Sequence, residues 1–187
     1  TMNVGAILPA FSAFDVTVGD FNGDANMDIA ATGYGGGQLF VYFGNGLGGF
    51  AAAPSSPYAI GTPNAAGISA DDFDNDGDID IAVNTNVSLH IFANNGTGVF
   101  SQTNVPTTYT TLYGVLLTTD FDNDGDVDIL PTGLNAGGMT VYQNNGAGVF
   151  TGVPFAGNAP IVLSMGDFNG DGKTDILMVL AGKILYS

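Results

Sequence analysis

The sequence predicts an all-β fold of about four sheets, each with four antiparallel strands, and three features predict it. An Asp-rich loop recurs four times, beginning at Asp20, Asp72, Asp120 and Asp167. An aromatic strand ending in an Asn-Gly turn follows each of the first three loops: LFVYFGNGLGGF (39–50), LHIFANNGTGVF (89–100) and MTVYQNNGAGVF (139–150). Helix is disfavoured throughout. Apolar residues alternate or run in short blocks, glutamate is absent, and lysine and arginine together number 2, Lys173 and Lys183.

The two motifs keep step, so each unit reads as four short strands with the loop between the first and second. In the second unit these are AAGISADD, IDIAVNT, SLHIFANN and GVFSQTNV, rich in β-branched and aromatic residues between Gly, Asn and Asp clusters. The pairs Asn45-Gly46, Asn95-Gly96 and Asn145-Gly146 predict tight hairpins with positive φ at both turn residues. Four-stranded units of about 40–50 residues are the signature of β-propeller blades. The predicted blades are 11–58, 59–108, 109–158 and 159–187, the last completed by residues 1–10. The fourth unit runs VLSMGD, loop, DILMVLA and KILYS, and the opening TMNVGAILPAF corresponds to the outer strands that follow Phe50, Phe100 and Phe150. Four blades is the low end for a closed ring, so a half-ring paired with a second copy and an arc of a larger chain are the alternatives.

The loops read DFNGDANMD (Asp20 to Asp28), DFDNDGDID (Asp72 to Asp80), DFDNDGDVD (Asp120 to Asp128) and DFNGDGKTD (Asp167 to Asp175). They hold sixteen of the 18 acidic residues. Oxygen-bearing side chains stand at positions 1, 3, 5 and 9: Asp20, Asn22, Asp24 and Asp28; Asp72, Asp74, Asp76 and Asp80; Asp120, Asp122, Asp124 and Asp128; Asp167, Asn169, Asp171 and Asp175. With the backbone carbonyl of position 7 (Asn26, Asp78, Asp126 or Lys173), they would converge on one hard cation that takes six to eight oxygens, which describes calcium. Position 12 holds Ala31, Val83, Pro131 or Met178 in place of an EF-hand glutamate, and a strand follows position 9 at once. The alternative is a turn in which Asp and Asn serve only their own backbone. Four or five carboxylates within a few ångströms repel one another unless a cation joins them, which favours the metal. About four calcium ions are expected. The second and third loops offer four carboxylates; the first and fourth offer three and an amide, with Ala25 replacing the position-6 glycine in the first and Lys173 standing at position 7 in the fourth. Affinity rises with ligand charge, so the second and third should bind more tightly.

The net charge of −16 is then largely that of metal sites awaiting ions, and four divalent ions would halve it. With two cationic side chains, neither nucleic acid nor anionic membrane is an expected partner. No apolar run approaches the roughly 20 residues of a membrane helix, and without cysteine there is no disulfide framework or thiolate site. Open calcium sites of this kind fill at extracellular calcium levels, so a secreted or cell-surface protein is expected.

The D-F-[ND]-x-D-[GA]-x-x-D-[IV] loop with its N-x-G-x-G-x-F turn resembles the FG-GAP/VCBS repeat of integrin α-subunit propellers and many secreted proteins. The resemblance covers nearly the whole chain and implies a propeller whose loops bind calcium through the sixteen residues above. The family's Gly-Ala-Pro element is not recognisable here, and its full propellers usually have seven blades. The family includes lectins, adhesins and accessory modules of enzymes, so the fold does not choose a ligand.

A non-enzymatic module binding a glycan or protein is the leading expectation. A self-associating structural subunit is the second. Enzyme chemistry ranks last, because only Asp15 and Asp71 lie outside the loops and His90 is the only histidine. Phe21, Phe73, Phe121 and Phe168 are expected to pack between blades, and Tyr42, Phe92, Tyr142, Phe50, Phe100 and Phe150 in the core. Tyr34, Tyr58, Tyr109 and Tyr113 fall in or near loops where one could stack on a sugar, and Asn86 and Asn95 sit in glycosylation acceptor patterns.

Overall fold

A computed structural model describes residues 13–33, 35–107, 114–132, 139–155, 161–180 and 183–186. The residues assigned by sequence to the closing strand, 1–10, lie outside them. Every described element is a strand, in four antiparallel sheets. The first sheet holds β1 (Ala13–Gly19), β2 (Asp28–Gly33), β3 (Gln38–Gly44) and β4 (Phe50–Ala52) in that order, and β5 (Tyr58–Ala59) also pairs with β3. The second orders β6 (Ile68–Asp71), β7 (Asp80–Asn84), β8 (Ser88–Asn94) and β9 (Phe100–Pro106). The third orders β10 (Leu116–Thr119), β11 (Asp128–Pro131), β12 (Met139–Gln143) and β13 (Thr151–Phe155). The fourth contains β14 (Ile161–Gly166), β15 (Asp175–Leu180) and β16 (Lys183–Tyr186). The fold is the propeller-like arrangement of four-stranded units that the repeat predicts.

The sequence period sets the register. Ile29 pairs with Tyr42, Ile81 with Phe92 and Ile129 with Tyr142, so the aliphatic residue after the loop meets the same aromatic position in the first three sheets. Both faces of the inner strands are apolar because each sheet lies against a neighbour. Three buried clusters result, one per sheet interface. Phe21, Leu39 and Val41 of the first unit pack with Ile81, Val83 and Phe92 of the second. Phe73, Leu89 and Ile91 pack with Ile129, Tyr142 and Phe150 of the third. Leu130, Met139 and Val141 pack with Ile176 and Met178 of the fourth. At about 25 cal/mol per Å² of apolar surface removed from water, such interfaces are the main source of stability.

The phenylalanine at loop position 2 behaves as expected in the first two units. Phe21 meets Phe100 of the next unit edge to face at 5.9 Å, and Phe73 meets Phe150 at 5.8 Å. Phe121 is only half-buried. Phe168 departs from the expectation: it is 51% exposed, because no later sheet among the described residues lies against it.

The Asn-Gly turns also differ from the two-residue hairpin that the pair predicts. The asparagines keep negative φ, and the left-handed positions are Gly46 and Gly48, Gly96 and Gly98, and Gly146 and Gly148. The asparagine instead organises a longer loop. Asn45 Oδ1 accepts the backbone N–H of Leu47 and Gly49, both at 2.9 Å, and Asn95 and Asn145 accept two residues further on at 3.1 Å. An Asx turn of this kind satisfies the loop backbone without positive φ at asparagine.

Candidate metal centres

Each Asp-rich loop joins the first two strands of its sheet, and backbone donors aim its carboxylates. In the second loop, Asp72 accepts the N–H of Asp76 at 3.2 Å and of Gly77 at 2.9 Å, and Asp76 accepts that of Asp78 at 2.9 Å. The third loop repeats this with Asp120 accepting from Asp124 and Gly125, at 3.1 and 3.0 Å. The fold-back needs left-handed backbone at positions 4 and 6. Gly77, Gly125 and Gly172 supply it at position 6 with φ of 94°, 98° and 83°, whereas Ala25 adopts φ of 65° in the first loop. That conformation costs an L-residue with a Cβ about 1–2 kcal/mol.

Position 9 is a buried hub. One oxygen of Asp80 accepts the Phe73 N–H at 3.0 Å and the other the Asn94 N–H at 2.7 Å. Asp28 likewise takes Phe21 and Gly44, and Asp128 takes Phe121 and Asn144. Asp175 accepts from Phe168 at 2.8 Å. In the first three loops the carboxylate therefore ties the loop start to the end of the third strand. Burial lifts the Asp80 carboxyl to about 6, aided by the Asp74 and Asp76 charges and opposed by its two N–H donors. Burial also raises Asp28 and Asp128. Asp74 and Asp122 are raised by burial and by the carboxylates two residues on. Asp167 is held below the ordinary range by N–H donors from Gly172 and Gly170.

Two triads have carboxylate oxygens within 4.8 Å of one another: Asp72, Asp74 and Asp80, and Asp120, Asp122 and Asp124. Asp76 and Asp128 stand outside these triads. In the first and fourth loops the position-3 amide fills part of the same role. Asn22 Nδ2 donates to Asp24 at 3.4 Å and Asn169 Nδ2 to Asp171 at 3.3 Å. Asp74 cannot donate, and its Oδ1 is enclosed with no hydrogen-bond partner. An enclosed carboxylate oxygen without a donor is unfavourable by about 1–3 kcal/mol or more, and a cation among these oxygens relieves it. The all-oxygen donor set fits a hard divalent ion. The position-7 side chains point elsewhere. Asp78 and Asp126 lie against Gly96 and Gly146, where a Cβ would come within 2.5 and 2.7 Å of their oxygens.

Sequence reasoning missed the residues that link the loops to the next sheet. Asn94 Nδ2 donates to the carbonyls of Phe21 at 2.9 Å and Ile79 at 3.0 Å, clamping the first loop to the second unit. Asn144 Nδ2 does the same to Phe73 at 2.7 Å and Val127 at 3.1 Å. Asn75 adds a bond to Asp126 at 2.9 Å. The signal was the doubled asparagine before the turn glycine in the second and third units, replaced by Gly44-Asn45 in the first.

Other residues singled out by sequence have structural surroundings. Tyr58 packs edge to face on Phe100 at 5.4 Å, with its hydroxyl donating to the Gly98 carbonyl at 2.9 Å, so it is no open sugar platform. Tyr34, Tyr109 and Tyr113 lie outside the described residues. His90 is buried, with Nδ1 beside Asn104 Oδ1 at 2.7 Å and Nε2 beside Ser88 Oγ at 2.7 Å.

The FG-GAP-like repeat family profile matches residues 20–83, 72–130 and 120–178, each stretch running from one Asp-rich loop through the next. No curated protein matches the chain. Among solved structures, an Agrocybe aegerita lectin described for its specific recognition of non-reducing terminal N-acetylglucosamine is similar, with a TM-score of 0.57 at 21% identity. The likeness covers 91% of this chain and 49% of that one, so this chain spans about half the lectin's length. At that identity it is a likeness of fold.

Proposed function

We propose, from the premise that the chain belongs to the FG-GAP-like repeat family, that it is a calcium-stabilised, non-enzymatic binding module acting outside the cell on a glycan or protein. One observation carries the calcium part of this reading. The Asp74 Oδ1, an oxygen that solvent does not reach, lies in a triad with Asp72 and Asp80, an arrangement that a hard cation stabilises. Calcium is favoured over magnesium because a flexible oxygen-rich loop suits its larger, irregular shell. The sixteen ligands at positions 1, 3, 5 and 9, with the carbonyls of Asn26, Asp78, Asp126 and Lys173, are proposed to hold about four ions. Extracellular placement follows from calcium supply.

The non-enzymatic reading is supported by how the remaining acidic groups are used. Asp15 accepts the N–H of Val16 at 2.9 Å and of Ile68 at 3.2 Å, and Asp71 accepts that of Asp72 at 3.1 Å. The groups that bond them are backbone N–H donors, and among the described residues neither hydrogen-bonds a hydroxyl or His90 as acid–base work requires. A glycan is the first class to test because the fold neighbour is a lectin.

The test is a glycan array probed with the calcium-loaded protein and again after chelation. The reading predicts glycan signal that is lost with calcium. Absence of any glycan signal from a folded, calcium-loaded sample would remove the glycan reading and leave a protein ligand.

A further inference from the structure

We infer, resting on the calcium reading above, that the second and third loops bind their ions cooperatively and that the Asn75 side chain couples them. Asn75 stands at position 4 of the second loop, between Asp74 and Asp76, both proposed ligands of one ion. Its Nδ2 leaves that loop and donates to Asp126 Oδ1 at 2.9 Å and to the Gly146 carbonyl at 3.3 Å, both in the third unit. Asp126 is position 7 of the third loop, whose carbonyl is a proposed ligand. Its own N–H also aims a carboxylate, donating to Asp124 Oδ1 at 2.9 Å. One amide thus joins the fold-back of one loop to the residue that shapes the next.

Coupling requires an element with two states that both ions bias. The folded-back loop is such an element. Asn75 is held in left-handed backbone, with φ of 59°, and the fold-back draws Asp72, Asp74 and Asp80 together against their mutual repulsion. An ion in the second loop offsets that repulsion and keeps Asn75 where it reaches Asp126. An ion in the third loop holds the position-7 backbone and so presents Asp126 to Asn75. Each ion therefore stabilises a contact that the other also favours.

The frame around this contact is rigid. Asn144 is buried, and it donates through Nδ2 to the Phe73 carbonyl of the second loop and through its N–H to Asp128 of the third. That fixes the spacing of the two loops, while the exposed Asn75 follows the loop's shape.

The neighbouring pairs cannot make the same contact. Position 4 of the first loop is Gly23, which has no side chain to offer Asp78. The third loop has Asn123, but position 7 of the fourth is Lys173, whose ammonium cannot accept a hydrogen bond. The coupled loops are the two with four carboxylates each.

Calcium titration of the isotope-labelled whole chain, followed by NMR at the Gly77 and Gly125 amides, tests this. These N–H groups bond Asp72 and Asp120 at 2.9 and 3.0 Å, so they report the second and third loops separately. In the wild type both should shift over one calcium range, with a Hill slope above one. Asp122→Ala removes an exposed ligand of the third loop and should raise the calcium midpoint at Gly77 about fivefold, the low end for coupled sites. By reciprocity, Asp74→Ala should raise the midpoint at Gly125 by the same factor. Asn75→Gly keeps every proposed ligand and the left-handed backbone, as Gly23 does in the first loop. In that background Asp122→Ala should move the Gly77 midpoint by less than about twofold. The Ala25 amide of the first loop should titrate as in the wild type. Independent transitions in the wild type, or a Gly77 midpoint indifferent to Asp122→Ala, would overturn the coupling and leave the calcium reading standing. A factor unchanged by Asn75→Gly would overturn the role of Asn75. Amides that do not respond to calcium at all would remove the calcium reading itself, and this inference with it.

Discussion

At the scale of residues, the proposed function sets the repulsion among the loop carboxylates against a cation bound between them. Asp74→Asn makes the opposition measurable, because an amide can donate to Asp76 as Asn22 and Asn169 donate in their loops. The substitution should stabilise the metal-free protein by about 1 kcal/mol, read from urea unfolding. It should also weaken calcium binding at that site about tenfold in titration calorimetry, by removing a ligand charge. Unchanged affinity would remove Asp74 from the shell. Asp80 gives the pH dependence. Its carboxyl is raised from 3.8 to about 6, so the folded metal-free protein binds the extra proton, and stability falls as pH rises through that window. The metal-free form should therefore melt higher at pH 5 than at pH 7.5. Calcium affinity should run the other way, because the ligand must be ionised. Ala25→Gly removes left-handed strain at the cost of a more flexible unfolded chain, for a net gain of about 0.5 kcal/mol in urea unfolding.

At the scale of elements, the first and second loops each belong to two sheets at once, since the loop's end is a hub for its own third strand and its start is clamped by the next unit. Asn94→Ala would strip donors from the carbonyls of Phe21 and Ile79 and should destabilise the protein by about 2–3 kcal/mol in chemical denaturation. A loss below 0.5 kcal/mol would mean water replaces the amide and the clamp is incidental. The strands were legible because period-two alternation and the recurring Asp and Asn-Gly punctuation are local signals. So was the pairing of Ile81 with Phe92, since both recur at fixed distances from the loop. The clamp was not legible, because Asn94 and Phe21 lie 73 residues apart in sequence and an Asn-Asn-Gly string reads as a turn wherever it stands. The turn geometry was misread for a related reason. Asn-Gly is ambiguous between a two-residue hairpin and an Asx loop until the spacing of Gly46 and Gly48 is seen in three dimensions. Tyr58 looked like a loop aromatic because nothing near it in sequence announces Phe92 and Phe100.

At the scale of the whole molecule, stability is close to a sum over units and the interfaces between them, as in other repeat architectures. The three apolar clusters lie between sheets, so a loop that loses its shape loosens two units. Calcium binding to the folded chain alone should add RT ln(1 + [L]/Kd) at each site, or about 2.7 kcal/mol per site at a hundredfold excess over Kd. The most direct measurement is scanning calorimetry of one preparation at millimolar calcium and again after chelation. The account predicts a melting temperature many degrees lower without calcium, restored when the ion is returned and not when sodium replaces it. Superimposable transitions in calcium and in chelator would contradict it.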